Sequence, residues 1–324
     1  MNARRYAVIT PVRDEAKYIQ STIDSMVAQT ALPKVWIIVD DGSSDETPQV
    51  VKRAACQYHW IRLHQRPDRG YRQVGGGVIE AFYDGLSLID LDAFDYVCKL
   101  DGDLKFGATH FERLIGKFEA DERLGSASGK CFDWTGRAWI PLRTNDRFSM
   151  GACKFYRTTC FRDIGGFVHT VMWDGIDCHR CRMKGWEARS FHDTELSLYE
   201  LRPMGSSDKS VLEGRLRWGR GQYFMGTHGL YALAIACYRM FERPFVIGGL
   251  CILAGFISAW LCRAERYDDP EFRRCLRQWQ LSRLFPFHRI TRPHSADSTG
   301  EPRKTPSSRS NRKRGSAVTA THRS

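Results

Sequence analysis

What this chain lacks narrows its class first. It has no GxxxxGK[ST] phosphate loop, and no GxGxxG follows its first apolar run, so neither a P-loop enzyme nor a dinucleotide-binding fold has motif support. The glycine run Gly75-Gly-Gly77 fits neither pattern. Of the eleven cysteines, only Cys178 and Cys181 have CxxC spacing, and no second pair follows to complete a zinc site. Met1-Asn-Ala-Arg-Arg runs straight into a strand-like segment instead of a signal peptide, so reduced thiols in the cytosol are expected. The basic C-terminal stretch has no aromatics interleaved with its arginines and lysines and no recognised binding motif, so no nucleic-acid partner is expected. Long apolar runs are scarce. Phe245–Cys262, eighteen residues without a charge, only reaches the lower limit for a membrane-spanning helix.

What is present suits a folded domain. A chain of 324 residues holds one large domain or two small ones, and its 42% hydrophobic content is ordinary. The net charge of +12 is not ordinary, and half of it lies in residues 292–324, where eight Lys/Arg face only Asp297 and Glu301. That tail is rich in Ser, Thr and Pro and lacks large apolar residues. It cannot bury enough surface to fold, so disorder and attraction to anionic lipid are expected.

Taken in order, Tyr6-Ala-Val-Ile-Thr-Pro11-Val reads as a buried strand with Arg13-Asp-Glu15 at its exit. Apolar residues at Ile19, Ile23, Met26 and Val27 predict a helix over 18–29. Val35-Trp-Ile-Ile-Val is a continuous apolar strand of the kind parallel sheets bury on both faces, and it ends in Asp40-Asp41-Gly-Ser-Ser-Asp-Glu-Thr47. A helix over 47–56, a short strand at Trp60–Leu63 and a helix over 78–88 follow. The strand Tyr96–Leu100 then delivers Asp101-Gly-Asp103. This alternation predicts a doubly wound, mostly parallel α/β sheet. Every acidic cluster falls at the C-terminal end of a strand, the edge where such sheets bind ligands. Two carboxylates across one glycine suit a hard divalent cation whose remaining positions go to phosphate oxygens. The plainer alternative is an Asp-Gly turn.

Thr10-Pro11-Val-Arg-Asp-Glu15, Val39-Asp-Asp-Gly-Ser-Ser-Asp-Glu-Thr47 and Leu100-Asp-Gly-Asp103, in that order, resemble the family 2 glycosyltransferases of GT-A fold over roughly residues 5–230. The resemblance implies that Asp40 and Asp41 hold the nucleotide of a UDP- or GDP-sugar, with Pro11 and Glu15 framing the same pocket. It implies that Asp101 and Asp103 form a DxD motif binding Mg²⁺ or Mn²⁺ at the diphosphate. Gly165-Gly-Phe167 is followed by Met172-Trp-Asp174-Gly-Ile-Asp177, where the family carries a Glu-Asp pair whose Asp is the general base. Trp173 stands in place of that Glu. Asp174 is then the expected base and Asp177 the second candidate, the latter expected to pair with Arg180 or Arg182 one helical turn on. The outcome implied is inverting transfer of one sugar to a lipid-linked (polyprenyl-phosphate) or saccharide acceptor, in cell-envelope or exopolysaccharide synthesis. The altered motif also leaves open a non-catalytic sugar-nucleotide-binding scaffold.

Processive relatives carry QxxRW. Here Gly214 replaces the Gln and only Arg217-Trp218 remain, which argues for single addition, with Arg217 still able to contact phosphate. The organisation expected is a catalytic domain over 1–228, membrane-associated helices over 229–291 with a spanning or re-entrant segment at 245–262, and the basic tail 292–324. Sugar nucleotides are cytoplasmic, so the catalytic domain is expected to face the cytoplasm from the cytoplasmic membrane.

Overall fold

A computed structural model describes residues 4–70, 76–202 and 211–285. Contacts divide the chain after His288, and all described residues belong to the first unit. The first part alternates as its apolar pattern dictates: β1 (Tyr6–Val12), α1 (Ile19–Val27), β2 (Val35–Asp40), α2 (Thr47–Gln57), β3 (Ile61–Gln65), α3 (Gly76–Leu86) and β4 (Tyr96–Leu100). Then come β5 (Leu104–Phe106), α4 (His110–Ala120), β6 (Leu124–Gly129), β7 (Cys131–Trp134), β8 (Trp139–Pro141), β9 (Cys153–Arg157), α5 (Thr158–Asp163), α6 (Trp173–Met183), β10 (Glu187–Phe191) and β11 (Leu198–Glu200). Four helices end the described chain: α7 (Val211–Met225), α8 (Gly229–Arg239), α9 (Ile247–Leu261) and α10 (Pro270–Leu284).

Seven strands form the main sheet in the order β10-β6-β9-β4-β1-β2-β3. All neighbours are parallel except β9, which runs against both β4 and β6. Side chains alternate across the sheet, so Val8, Ile38 and Cys98 meet α1, α2 and α4 on one face. Ala7, Ile9, Ile37 and Val39 meet α3, α5 and α6 on the other. The expected α/β sheet, parallel apart from β9, is therefore present as the centre of three layers. A second sheet, β5-β11-β7-β8, was not expected. Its strands are only three or four residues long, too short to show an alternating pattern. It matters because β5 leaves directly from Asp103, and its partner β11 brings Glu200 back opposite Leu104.

The last four helices pack on the α6 side. Glycines let α7 and α9 touch backbone to backbone: a Cβ at Gly219 would lie 2.0 Å from the Ile252 carbonyl oxygen, and one at Gly255 would lie 2.1 Å from that of Leu216. The 245–262 run folds as α9, fifteen residues long. Among the described residues no helix is long and apolar enough to cross a membrane. The tail expected at 292–324 lies outside the described residues.

Candidate active site

The sheet order sets β1 between β2 and β4, so the loops leaving these three strands share one edge. The first two loops are tied together by the small polar residues of the second. Asp14 N–H donates to Ser43 Oγ (2.9 Å), Glu15 N–H to Thr47 Oγ1 (2.8 Å) and Ala16 N–H to Asp45 Oδ2 (3.0 Å). In return Ser44 N–H donates to Asp14 Oδ1 at 2.8 Å. Ser43, Ser44, Asp45 and Thr47 thus fix the loops, which brings Pro11, Glu15, Asp40 and Asp41 to one corner. Asp40 is buried and accepts a hydrogen bond from Ser43 N–H (3.1 Å). Asp41 is gripped by two arginines, Arg66 at 2.5 Å and Arg69 on its other oxygen, and Arg69 also reaches Glu80 (2.9 Å).

Gly102 explains the form of the third loop. A Cβ there would lie 2.7 Å from Val12 Cγ1, so only glycine lets the chain leave β4 pressed against β1. Asp101 accepts a hydrogen bond from the buried Lys99 ammonium, which also donates to the Gly151 carbonyl (2.9 Å). Burial, with Asp101 close by, pushes the Asp103 carboxyl up to about 6. Glu200 is pushed up to about 8 by burial, with Asp101, Asp103 and Asp133 adding to it. Arg202 spans the cluster: it donates to the Glu15 carboxylate, its Nε lies 3.8 Å from Asp103, and it stacks over the Tyr18 ring.

These carboxylates suit a divalent cation. Burial, with the neighbouring carboxylates adding to it, raises both Asp103 and Glu200 and holds a proton on Glu200 at neutral pH, and a cation between Asp101 and Asp103 would offset the negative charge gathered there. Among the described residues no three His, Cys, Asp or Glu side chains gather closely enough to hold a metal by themselves. Further ligands would come from water or a bound diphosphate.

The far side of the edge comes from β9 and α6. Asp174 is exposed in the first turn of α6, where the helix dipole favours a carboxylate. It lies against the start of β9, since a Cβ at Gly151 would sit 3.2 Å from its Oδ2. Gly151 thus stands between the two: its carbonyl takes the Lys99 ammonium that also binds Asp101, and its Cα lies beside Asp174. Asp177 is 1% exposed and points into the fold, where it accepts hydrogen bonds from Lys154 (2.5 Å) and Tyr156. Lys154 also donates to the Asp174 carbonyl (2.7 Å), so it anchors the whole first turn of α6. Burial opposes its charge, but Asp177 with Cys178 and Asp174 outweighs it and raises the Lys154 pKa. Trp173 lies beneath both lysines, with Lys99 Nζ 5.2 Å and Lys154 Nζ 5.6 Å from its ring.

The expected pairing of Asp177 with Arg180 or Arg182 is corrected by this geometry. Asp177 faces Lys154 across the sheet, while Arg180 binds the Ile164 carbonyl (3.1 Å) and Tyr267. Arg182 stacks over Phe148 and Trp279. Arg217 stands on α7, beyond residues 203–210, which lie outside the described residues, as does Gly75. Cys178 and Cys181 are buried free thiols on α6. Sequence reasoning assigned no role to Lys99, Lys154, Glu200 or Arg202. The signal for the lysines was present, since each is a charge flanked by apolar residues within a buried strand.

Comparison with known proteins identifies the family and the fold. The family model described as Glycosyl transferase family 2 matches residues 7–172. Glycosyltransferase AglD of Haloferax volcanii is 26% identical over 190 residues, which is 57% of this chain but only 27% of AglD. Glycosyltransferase AglE of the same organism is 23% identical over 283 residues, covering 83% of this chain and 85% of AglE. Among solved structures, mannosyltransferase PcManGT from Pyrobaculum calidifontis, in complex with GDP-Man and Mn²⁺, aligns with a TM-score of 0.51 at 17% identity over 89% of each chain. S. aureus TarS 1–349 in complex with UDP-GlcNAc aligns with a TM-score of 0.50 at 17% identity, over 80% of this chain and 73% of that one. These last two are likenesses of fold.

Proposed function

The chain belongs to glycosyl transferase family 2 and is a glycosyltransferase, and from that premise we propose that it moves one sugar, with inversion, from a UDP- or GDP-sugar to a lipid-linked or saccharide acceptor. The observation that supports this reading is the gathering of two carboxylates around Gly151, Asp101 through the shared Lys99 ammonium on one side and the exposed Asp174 on the other. The donor class is supported by the fold shared with PcManGT and TarS, solved with GDP-Man and UDP-GlcNAc.

Asp40 and Asp41 take the base and ribose in the corner framed by Pro11 and Glu15, and Arg66 and Arg69 give up or share Asp41 as they do so. Asp101 and Asp103 would hold Mg²⁺ or Mn²⁺, which would supply positive charge against the departing diphosphate. Asp174 accepts the proton of the acceptor hydroxyl as its oxygen attacks the anomeric carbon. The bond from that carbon to the diphosphate breaks on the opposite face, which inverts the centre. Arg202 supplies countercharge to Glu15 and Asp103, and Arg217 contacts phosphate. Asp177 serves through Lys154 by fixing α6.

The helices within 229–291 hold the enzyme at the cytoplasmic membrane with the 1–228 domain facing the cytoplasm, and the 292–324 tail adds attraction to anionic lipid. The test is a panel of UDP- and GDP-sugars, with binding followed by calorimetry and transfer by product formation. Asp174→Asn should keep donor binding and lose at least a hundredfold in transfer. If no sugar nucleotide binds with Mn²⁺ present, or if Asp174→Asn transfers normally, the reading fails.

A further inference from the structure

A cavity of about 280 Å³ lies away from the carboxylate edge, between the end of α7, the start of α8, the end of α9 and α10. Two guanidinium groups line it, those of Arg266 and Arg277, and no Asp or Glu does. Arg277 uses its Nε on the Gly226 carbonyl (2.9 Å). Arg266 is stacked over the Tyr223 ring at 4.6 Å, and its Nε is buried with no hydrogen-bond partner among the described residues. A buried guanidinium donor left unmatched costs free energy, which an anion entering the cavity would recover. His228 and Gly229, at the N-terminal end of α8, form another wall, so the positive end of that helix dipole adds to the two arginines.

Phe256 and Trp260 of α9 give the cavity an apolar wall, and exposed apolar side chains stand beside it on α8 and α9. Trp260 is itself 58% exposed. Ile257 lies one turn before Trp260 on α9, and Leu230 and Leu233 stand one turn apart at the start of α8. All three are exposed. The same exposed apolar character continues to the other end of the α8–α9 hairpin at Phe241, Phe245 and Leu250. A cationic cavity too small for a whole lipid, set beside an apolar helical surface, matches an amphiphile with an anionic head and hydrocarbon chains.

We propose that this cavity binds the phosphate headgroup of an anionic membrane phospholipid whose chains meet the exposed face of α8 and α9, so that the hairpin lies in the bilayer interface. The proposal rests on the reading that these helices meet a membrane, and the test separates the two. The full chain, tail included in every arm, is sedimented at fixed ionic strength with phosphatidylcholine vesicles and with vesicles containing 30% phosphatidylglycerol (roughly the composition at which surface charge attracts basic segments). Arg266→Gln and the double variant with Arg277→Gln are compared with the parent. Arg266→Gln gives up no hydrogen bond at Nε and only the stacking on Tyr223, so it should stay folded with a small fall in Tm and keep its turnover on soluble acceptor.

The parent should prefer the anionic vesicles, and the double variant should bind them at least roughly tenfold more weakly, as expected for lost charge-assisted hydrogen bonds. Dihexanoyl phosphatidic acid should stabilise the parent thermally and fail to stabilise the double variant. Equal binding of parent and variants to anionic vesicles would overturn the cavity assignment and leave membrane contact standing. Failure of the parent to bind any vesicle would overturn both. Stabilisation by inorganic phosphate as strong as by dihexanoyl phosphatidic acid would identify a free-anion site and overturn the lipid.

Discussion

Replacing Glu200 with glutamine removes one titration from the carboxylate edge while keeping the size of the side chain and one acceptor oxygen. Glu200 is raised from 4.5 to about 8 by burial, with Asp101, Asp103 and Asp133 adding to it. Its folded-state pKa lies above its unfolded one, so the fold holds a proton that the unfolded chain releases. The stability linked to that proton is complete below about pH 4.5 and disappears as the pH rises through about 8. At about 1.4 kcal/mol per pKa unit, the loss amounts to as much as about 5 kcal/mol across that window. Asp103, raised from 3.8 to about 6, adds a smaller fall of about 3 kcal/mol that is finished by about pH 6. Urea denaturation of metal-free protein at several pH values from about 5 to 8.5 should therefore show the parent weakening steadily. Glu200→Gln should weaken much less above about pH 6, so that the variant is the more stable protein at high pH. Addition of Mn²⁺ near neutral pH should stabilise the parent and release protons, which calorimetry in two buffers of different ionisation enthalpy can count. Parallel pH slopes for parent and variant would refute the claim that the fold holds Glu200 protonated.

Lys154→Met strands the buried Asp177 carboxylate and should cost about 3–5 kcal/mol in urea denaturation. The double variant with Asp177→Asn should recover a large part of that loss, and equal losses would show that the pair is not ionic in the fold. Gly255→Ala drives a methyl group into the Leu216 carbonyl and should lower stability by about 2 kcal/mol or more, read as a fall in Tm. Asp103→Ala should abolish Mn²⁺-dependent donor binding in calorimetry. Metal-independent binding that survives in this variant would remove the metal assignment.

The centre of the main sheet was legible because β1, β2 and β4 are buried on both faces and read as largely apolar runs, as in Val35–Val39. The corner holding Glu15, Asp40 and Asp41 was legible for the same reason, since each carboxylate stands where an apolar run stops. The small sheet was not, and with it went Glu200 and Arg202. Those two reach Asp103 only because β11 pairs with β5 over a separation of nearly a hundred residues, and three-residue strands carry no period from which to infer such a pairing. The lysines posed a different problem. A charge inside an apolar strand marks a buried partner but does not name it, and the partner of Lys154 was fixed by the packing of α6 over β9. The reach of Asp177 was misjudged on the same ground: helical spacing offered Arg180 and Arg182, while the tertiary fold offered a closer cation.

The single reversed strand has a consequence for how this site can vary. Asp101 belongs to the end of β4 and Asp174 rests on the beginning of β9, and the two strands are locked in a ladder that sets Lys99 opposite Lys154. The separation of the two strand ends is therefore quantised. Sliding β9 by one residue would turn Lys154 to the other face of the sheet, and sliding it by two would carry the start of β9 about 7 Å along the edge. No insertion within that ladder can widen the gap by the fraction of an ångström that a slightly larger acceptor needs. Adaptation is left to the connections that do not enter the ladder, the β7–β8 hairpin and the turn before α6, whose lengths can change while the distance between the two strand ends stays fixed.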